Sequence, residues 1–219
     1  MKRYTYTLFA LLACSALMLP TEAVAVTARQ MFLSDTVADI FDLIEHSQRL
    51  DLLDYYDNGQ EVAASNALRG YSAIDTVADN FMKVQLTEYS DVALWVTDVT
   101  AKKPKVVVVK TYELPMPDSD LAVYEADWSL TKNQEKIFVR PAVADFLIAD
   151  NKAERSELEQ LEVDEMPFLT YTLNPEDGAL TISLNAGEWM SREALTKWET
   201  KLRRSLKYRW TGKRYELQR

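Results

Sequence analysis

The sequence predicts an α+β fold, with N-terminal helices, then an antiparallel β-meander, then a hairpin-helix-hairpin C-terminal part. Three observations carry that prediction. Apolar residues recur at helical spacing up to Asp57, and from Tyr71 onward they recur at every second position instead. Beyond Pro141, two turn signals, Asn174-Pro175-Glu176-Asp177-Gly178 and Thr211-Gly212, flank a further stretch of helical spacing.

The chain opens on a segment with the order of a secretory signal peptide. Lys2 and Arg3 are basic, Leu8 to Leu19 is apolar, and Ala23-Val24-Ala25 is a small-residue exit. Cleavage after Ala25 is expected, leaving residues 26–219 as a single α+β domain, or as two packed subdomains over 26–140 and 141–219. The apolar run is too short to span a membrane, which takes roughly 20 apolar residues, and no later stretch is longer. The expected location is periplasmic or secreted. A second reading uses Leu11-Leu12-Ala13-Cys14 as a lipobox, which would make the protein an outer-membrane lipoprotein through Cys14. Cys14 is the only cysteine, so the processed chain would have no disulfide and no thiolate-ligated metal.

In chain order, Ser34 and Asp35 have helix-capping chemistry ahead of Val37, Ile40, Phe41 and Ile44, which predicts a first helix ending near His46. Arg49 to Asp57, with Leu50, Leu53 and Tyr56, predicts a second helix stopped by Asn58-Gly59. The meander follows: Met82, Val84 and Leu86 alternate with polar residues, as do Val92, Leu94 and Val96. Lys105 to Tyr112 and Leu121 to Trp128 are its last strands. The unbroken run Val106 to Val109 predicts a strand covered on both faces or central in the sheet. Val143 to Leu147 reads as a short helical turn, and the acid-rich Glu154 to Glu165 as a solvated helix or exposed connection. Phe168 to Leu173 and Ala179 to Leu184 form a hairpin around the Asn174 to Gly178 turn. Ser191 caps a helix presenting Leu195, Trp198, Leu202 and Leu206, with Glu193–Lys197 and Glu199–Arg203 as supporting pairs. A two-residue turn at Thr211-Gly212 then sets Trp210 opposite Lys213, Tyr208 opposite Tyr215, and Arg209 opposite Arg214.

The chemistry-bearing residues exclude more than they suggest. His46 is the only histidine, so no triad or histidine metal set can be assembled, and a role at a helix end is expected of it. No phosphate-binding glycine motif or nucleophile elbow occurs among five glycines. Ser129-Leu130-Thr131-Lys132 has the S-x-x-K spacing without the motifs that accompany it in acyltransferases. Asp118-Ser119-Asp120, and Asp54 with Asp57, Asn58 and Glu61, lack calcium-loop spacing. The five tryptophans, Trp95, Trp128, Trp189, Trp198 and Trp210, read mainly as packing residues. No catalytic, cofactor or metal residue is nominated.

Charge gives the one positive signal. The chain carries a net charge of -9, which disfavours nucleic acid as a partner. Residues 191–219 nevertheless hold ten basic residues against Glu193, Glu199 and Glu216. Arg209, Arg214, Lys213, Lys197, Lys201 and Arg204 are therefore the candidate binding surface. They either dock on the protein's own acidic body or meet an anionic ligand such as lipopolysaccharide phosphate.

Several strings resemble a known family: Arg49-Leu50-Asp51-Leu52-Leu53-Asp54-Tyr55, Thr87-Glu88-Tyr89-Ser90, Ala126-Asp127-Trp128 and Leu206-Lys207-Tyr208-Arg209-Trp210. They are similar to an uncharacterised family of secreted Bacteroidales proteins, a domain of unknown function. The resemblance implies a Gram-negative envelope location and brings no activity or catalytic residue with it. The expected function is that of an exported, non-enzymatic envelope protein binding a protein, peptide or anionic envelope component, without a cofactor. The alternative is a carboxylate-dependent glycan or peptidoglycan hydrolase.

Overall fold

The computed structural model describes residues 25–36, 39–113, 116–149, 151–164 and 167–218. The predicted leader lies outside the described residues except for Ala25, and Cys14 lies outside them as well. The fold is α+β, with a layer of N-terminal helices, a six-stranded antiparallel sheet and a four-stranded antiparallel sheet.

Helix α1 spans Ala28–Leu33 and starts in a capping box, in which Thr27 Oγ1 accepts the Gln30 N–H and the Gln30 side chain accepts the Thr27 N–H. The helix predicted from Ser34 is not there; residues 39–44 bury Ile40, Phe41 and Ile44 through turns. The buried Arg49 shows why the chain turns: its Nη1 donates to Phe32 O at 2.5 Å and to Ser34 O at 3.3 Å, satisfying carbonyls at the end of α1. Helix α2 runs over His46–Asp57 and stops at Asn58, whose side chain donates to Asp54 O, followed by Gly59 at φ +67°. His46 thus opens a helix instead of closing one, with Nδ1 3.3 Å from Asp35 Oδ1. The buried face of α2 is Arg49, Leu52 and Leu53, while Leu50 is exposed.

The six-stranded sheet is a sequential meander: β1 (Ala64–Ser65), β2 (Tyr71–Val77), β3 (Phe81–Thr87), β4 (Ser90–Val96), β5 (Lys105–Tyr112) and β6 (Asp118–Glu125). Period-two alternation divides its apolar side chains between two cores. Met82, Val84, Leu86, Val92, Leu94, Val96, Val106 and Val108 pack on the helices, against Phe32, Phe41 and Leu52 among others. Phe81, Ala93, Trp95, Val107, Val109 and Val123 pack on the second sheet. The run Val106 to Val109 is apolar because both of its faces are covered. The last strand begins and ends three residues earlier than Leu121–Trp128. Ser129 N–H and Oγ both bond Asp127 Oδ1 to close a turn, and Trp128, at φ +64°, donates from Nε1 to Met31 O at 3.1 Å.

Two short helical pieces, α3 (Gln134–Ile137) and the 3₁₀ turn Val143–Phe146, lead to α4 (Lys152–Asp164). The second sheet is built from β7 (Leu169–Leu173), β8 (Leu180–Leu184), β9 (Ser205–Trp210) and β10 (Tyr215–Leu217), with α5 (Ala186–Trp189) and α6 (Arg192–Trp198) between β8 and β9. The β7–β8 hairpin turns where predicted, and Gly178 takes φ +65° with its backbone against the Trp95 ring. Ser191 caps α6 by accepting the Ala194 N–H, but the helix stops at Trp198. Leu202 bridges to Leu147 and Leu206 is on β9, because the backbone beyond Trp198 pairs with other segments, Arg203 N–H donating to Phe146 O and Ile148 N–H to Lys201 O, instead of continuing α6; Lys197 and Lys201 pair across to α4. Residues on both sides of Pro141, from Phe81 to Tyr215, share one hydrophobic cluster.

The C-terminal hairpin differs from its predicted register by two residues. Tyr215 lies opposite Trp210, Glu216 opposite Arg209 and Leu217 opposite Tyr208, around a four-residue loop in which Thr211 N–H donates to Arg214 O. A two-residue shift preserves the faces, so Tyr208 and Trp210 still pack toward the core and Tyr215 is buried. It abolishes the Arg209–Arg214 opposition: Arg214 bonds Glu216 Oε1 from Nε and Nη2 at 2.9 and 2.8 Å.

Candidate binding surfaces

The six nominated basic residues fall in four places. Lys197 pairs with Glu157 and Lys201 with Glu154, so both are docked on α4, and both ammoniums also lie over the Trp198 ring. Arg204 lines a hollow of about 680 Å³ at the β8–β9 end, together with Arg203 and Glu199. Arg209 is exposed on the outer face of β9. Lys213 and Arg214 stand at the β9–β10 loop, where Gly212 takes φ +88°.

That loop meets two cations the sequence reading did not nominate. Lys132 and Lys136, with Lys213, Arg214 and Glu216, line a hollow of about 450 Å³. The 131–136 segment is fixed there by Gln134, whose Nε2 donates to Val123 O and Thr131 O at 2.7 Å and whose Oε1 accepts the Val123 N–H at 3.0 Å. Asn133 turns the chain at φ +57°, a conformation asparagine tolerates better than most side chains. Among the described residues Lys132, Lys136 and Lys213 have no salt bridge, so three ammonium groups share one concavity with a single acid already engaged by Arg214. Apart from the S-x-x-K spacing that ends at Lys132, no local signal marked Lys132 and Lys136, because they reach the hairpin only through the folding of segments some eighty residues apart.

A second group of hollows surrounds β2. One of about 350 Å³ holds Asp75, Lys83, Glu88, Asp91 and Glu113 on the sheet face that the second sheet leaves uncovered. Lys83 Nζ lies 3.6 Å from Asp75 and 3.8 Å from Asp91. Burial pushes the Asp91 carboxyl above the usual range; Lys83 opposes the rise, while Glu113 and Asp75 add to it. A second hollow, of about 580 Å³, lies between β2 and the segment running from α2 to β1, with Leu52, Tyr56 and Val62 in its wall. A third, of about 470 Å³, is bordered by the exposed Leu68, Tyr71 and Tyr89.

The remaining sequence candidates have structural partners. Asp118 accepts from Arg140 Nη2 at 2.7 Å and from the Leu169 N–H at 2.9 Å, and Ser119 Oγ accepts the buried Tyr171 N–H at 3.1 Å. Asp57 pairs with Arg29, which holds its carboxyl below the usual range. Ser129 bonds Asp127. Among the described residues, no group of three or more His, Cys, Asp or Glu side chains could hold a metal ion. None of their helices is long and apolar enough to cross a membrane. Trp95, Trp128, Trp189 and Trp198 are buried, and Trp210 packs against the same core as Trp95.

The chain belongs to a family described as Protein of unknown function (DUF3256), whose model matches residues 21–215. Its fold is shared with a solved structure described as a domain of an uncharacterized protein from Porphyromonas gingivalis W83. The TM-score is 0.70 at 20% identity, covering 89% of this chain and 99% of that one. That organism is a member of the Bacteroidales. No curated protein matches the chain.

Proposed function

We propose that the protein is an exported, non-enzymatic envelope protein that binds an anionic, phosphate-bearing envelope component through the hollow lined by Lys132, Lys136, Lys213 and Arg214. One observation carries the reading: cations from two distant segments converge on one concavity, and three of them have no salt bridge among the described residues. In an acidic chain with abundant carboxylates to pair with, unneutralised clustered ammoniums suit an external anion. Export rests on the order of charge, apolar run and small residues over residues 1–25. Lipidation at Cys14 remains the competing route to the envelope.

The hydrolase alternative has less support. Glycosidic hydrolysis uses two carboxyls facing each other across the scissile bond, with space between them for a sugar carbon or a water. In the hollow of about 350 Å³, the Lys83 ammonium occupies the space between Asp75 and Asp91.

The test is co-sedimentation of the 26–219 protein with vesicles bearing lipopolysaccharide, against neutral phosphatidylcholine vesicles. Salt-sensitive binding to the first is expected, weakened about tenfold when Lys132, Lys136 and Lys213 are all changed to Gln, about 1.4 kcal/mol in affinity. Changing Lys197 and Lys201 to Gln should leave it within about twofold, since those ammoniums are already paired. Equal binding by the triple variant and the wild type would overturn the proposal.

A further inference from the structure

The outer edge of β2 is served by β1 only at Tyr71 and Ser72. At its other end the Val77 N–H is received by the Tyr56 hydroxyl at 3.3 Å. Between these points no strand of the described residues lies alongside Ala73 to Thr76. The chain ahead of β1 leaves β2 at Ala63, and the hollow of about 580 Å³ opens where a further strand would run. An unpaired strand edge lying along a ready-made groove is the geometry of β-strand addition.

The two sides of that groove differ in chemistry in the way an added strand requires. Side chains of a strand alternate between the faces of its sheet. On the helix side, such a strand would meet Tyr56, over the buried Leu52. On the other side it would meet Asp75, and farther across the same sheet face the hollow holds Glu88 and Asp91 at the β3–β4 hairpin and Glu113 after β5, with Lys83 as the cation among them, so this side presents an acidic field. Burial holds the Asp91 carboxyl above its usual range even beside Lys83, and the neighbouring Glu113 and Asp75 add to the rise. Strand-edge groups and alternate side-chain pockets together specify the occupant.

We propose that this edge docks a short extended segment of another protein, in which basic side chains alternate with apolar ones. The site shares no residue with the lysine hollow. Basic side chains answer the acids, apolar ones fill the helix-side groove, and the backbone pairs with Ala73 to Thr76. The bulge between Ile74 and Thr76 limits the register to a few residues, which favours a short segment over a long, flat pairing of the kind that leads to aggregation.

The probe is the fluorescein-labelled heptapeptide Lys-Val-Lys-Phe-Lys-Val-Lys, titrated with the 26–219 protein and followed by anisotropy. Binding is expected, with the affinity lowered about tenfold or more when alternate backbone nitrogens of the peptide are methylated, because methylation removes the donors that strand addition uses while keeping every charge. Changing Asp75, Asp91 and Glu113 together to Asn, Asn and Gln should lower affinity similarly, with circular dichroism verifying the fold. Changing Lys132, Lys136 and Lys213 to Gln should not lower it, so this inference and the envelope-anion reading fail separately. Equal affinity for the methylated peptide, or no binding at all, would overturn the proposal. Concentration-dependent dimerisation that blocks the peptide would overturn it as well, by assigning the edge to a second copy of the chain.

Discussion

Along β6 the outward-facing backbone of the central sheet is taken up by the chain itself, whereas along β2 much of it is not. Val123 exchanges hydrogen bonds with the Gln134 amide, Thr131 N–H donates to Val123 O, Glu125 N–H to Ser129 O, and Arg140 Nη1 to Ser119 O. The side chains of Asp118 and Ser119 then receive the Leu169 and Tyr171 N–H groups, which joins the two sheets. On β2 the matching service is a two-residue bridge and one tyrosine hydroxyl. Edge strands left open invite further pairing. The β6 edge thus holds the two sheets together, and the β2 edge keeps backbone groups that no strand of the described residues takes up.

Substitution in the packed layer between the two sheets should cost the most. A Cβ on Gly178 would sit 2.3 Å from the buried Trp95 ring at a positive φ, and Tyr215 also bonds the Gly178 carbonyl. Gly178→Ala should therefore cost about 3 kcal/mol or more in urea unfolding, from overpacking plus backbone strain. Ser119→Ala comes next. It leaves the buried Tyr171 N–H without its acceptor, for an expected loss of about 1–3 kcal/mol by the same measurement. At the open end, Leu68 is 66% exposed and Tyr71 70% exposed. Leu68→Ser and Tyr71→Ser should each move stability by less than about 0.5 kcal/mol, and a larger loss would mean these side chains have a structural role.

The meander, the doubly covered Val106–Val109 strand, the β7–β8 hairpin and the Ser191 cap were legible because each has a local signature: period, apolar run, turn chemistry or capping hydroxyl. Local pattern is silent where a distant contact decides the backbone. Arg49 closes α1 from seventeen residues away, which no local pattern at Ser34 reveals. Lys197 and Lys201 read as helical charges in sequence, yet their partners are on α4. In the last hairpin, alternation defined the inward face of Tyr208, Trp210 and Tyr215, but a shift of two residues leaves alternation unchanged, so register could not be read. The basic C-terminal residues were visible as composition. Their division into docked and unpaired groups was not, and Lys132 and Lys136 join the hollow only in three dimensions.

Amide hydrogen exchange resolved by residue on the free 26–219 protein tests the contrast between the two edges most directly. Exchange reports whether a backbone donor has a lasting partner. The fastest amides within the β2–β6 strands are expected among Ala73 to Thr76, on the order of tenfold or more faster than Val123 and Tyr171. Protection of every amide from Ala73 to Thr76 at the level of Val123 and Tyr171 would contradict the account.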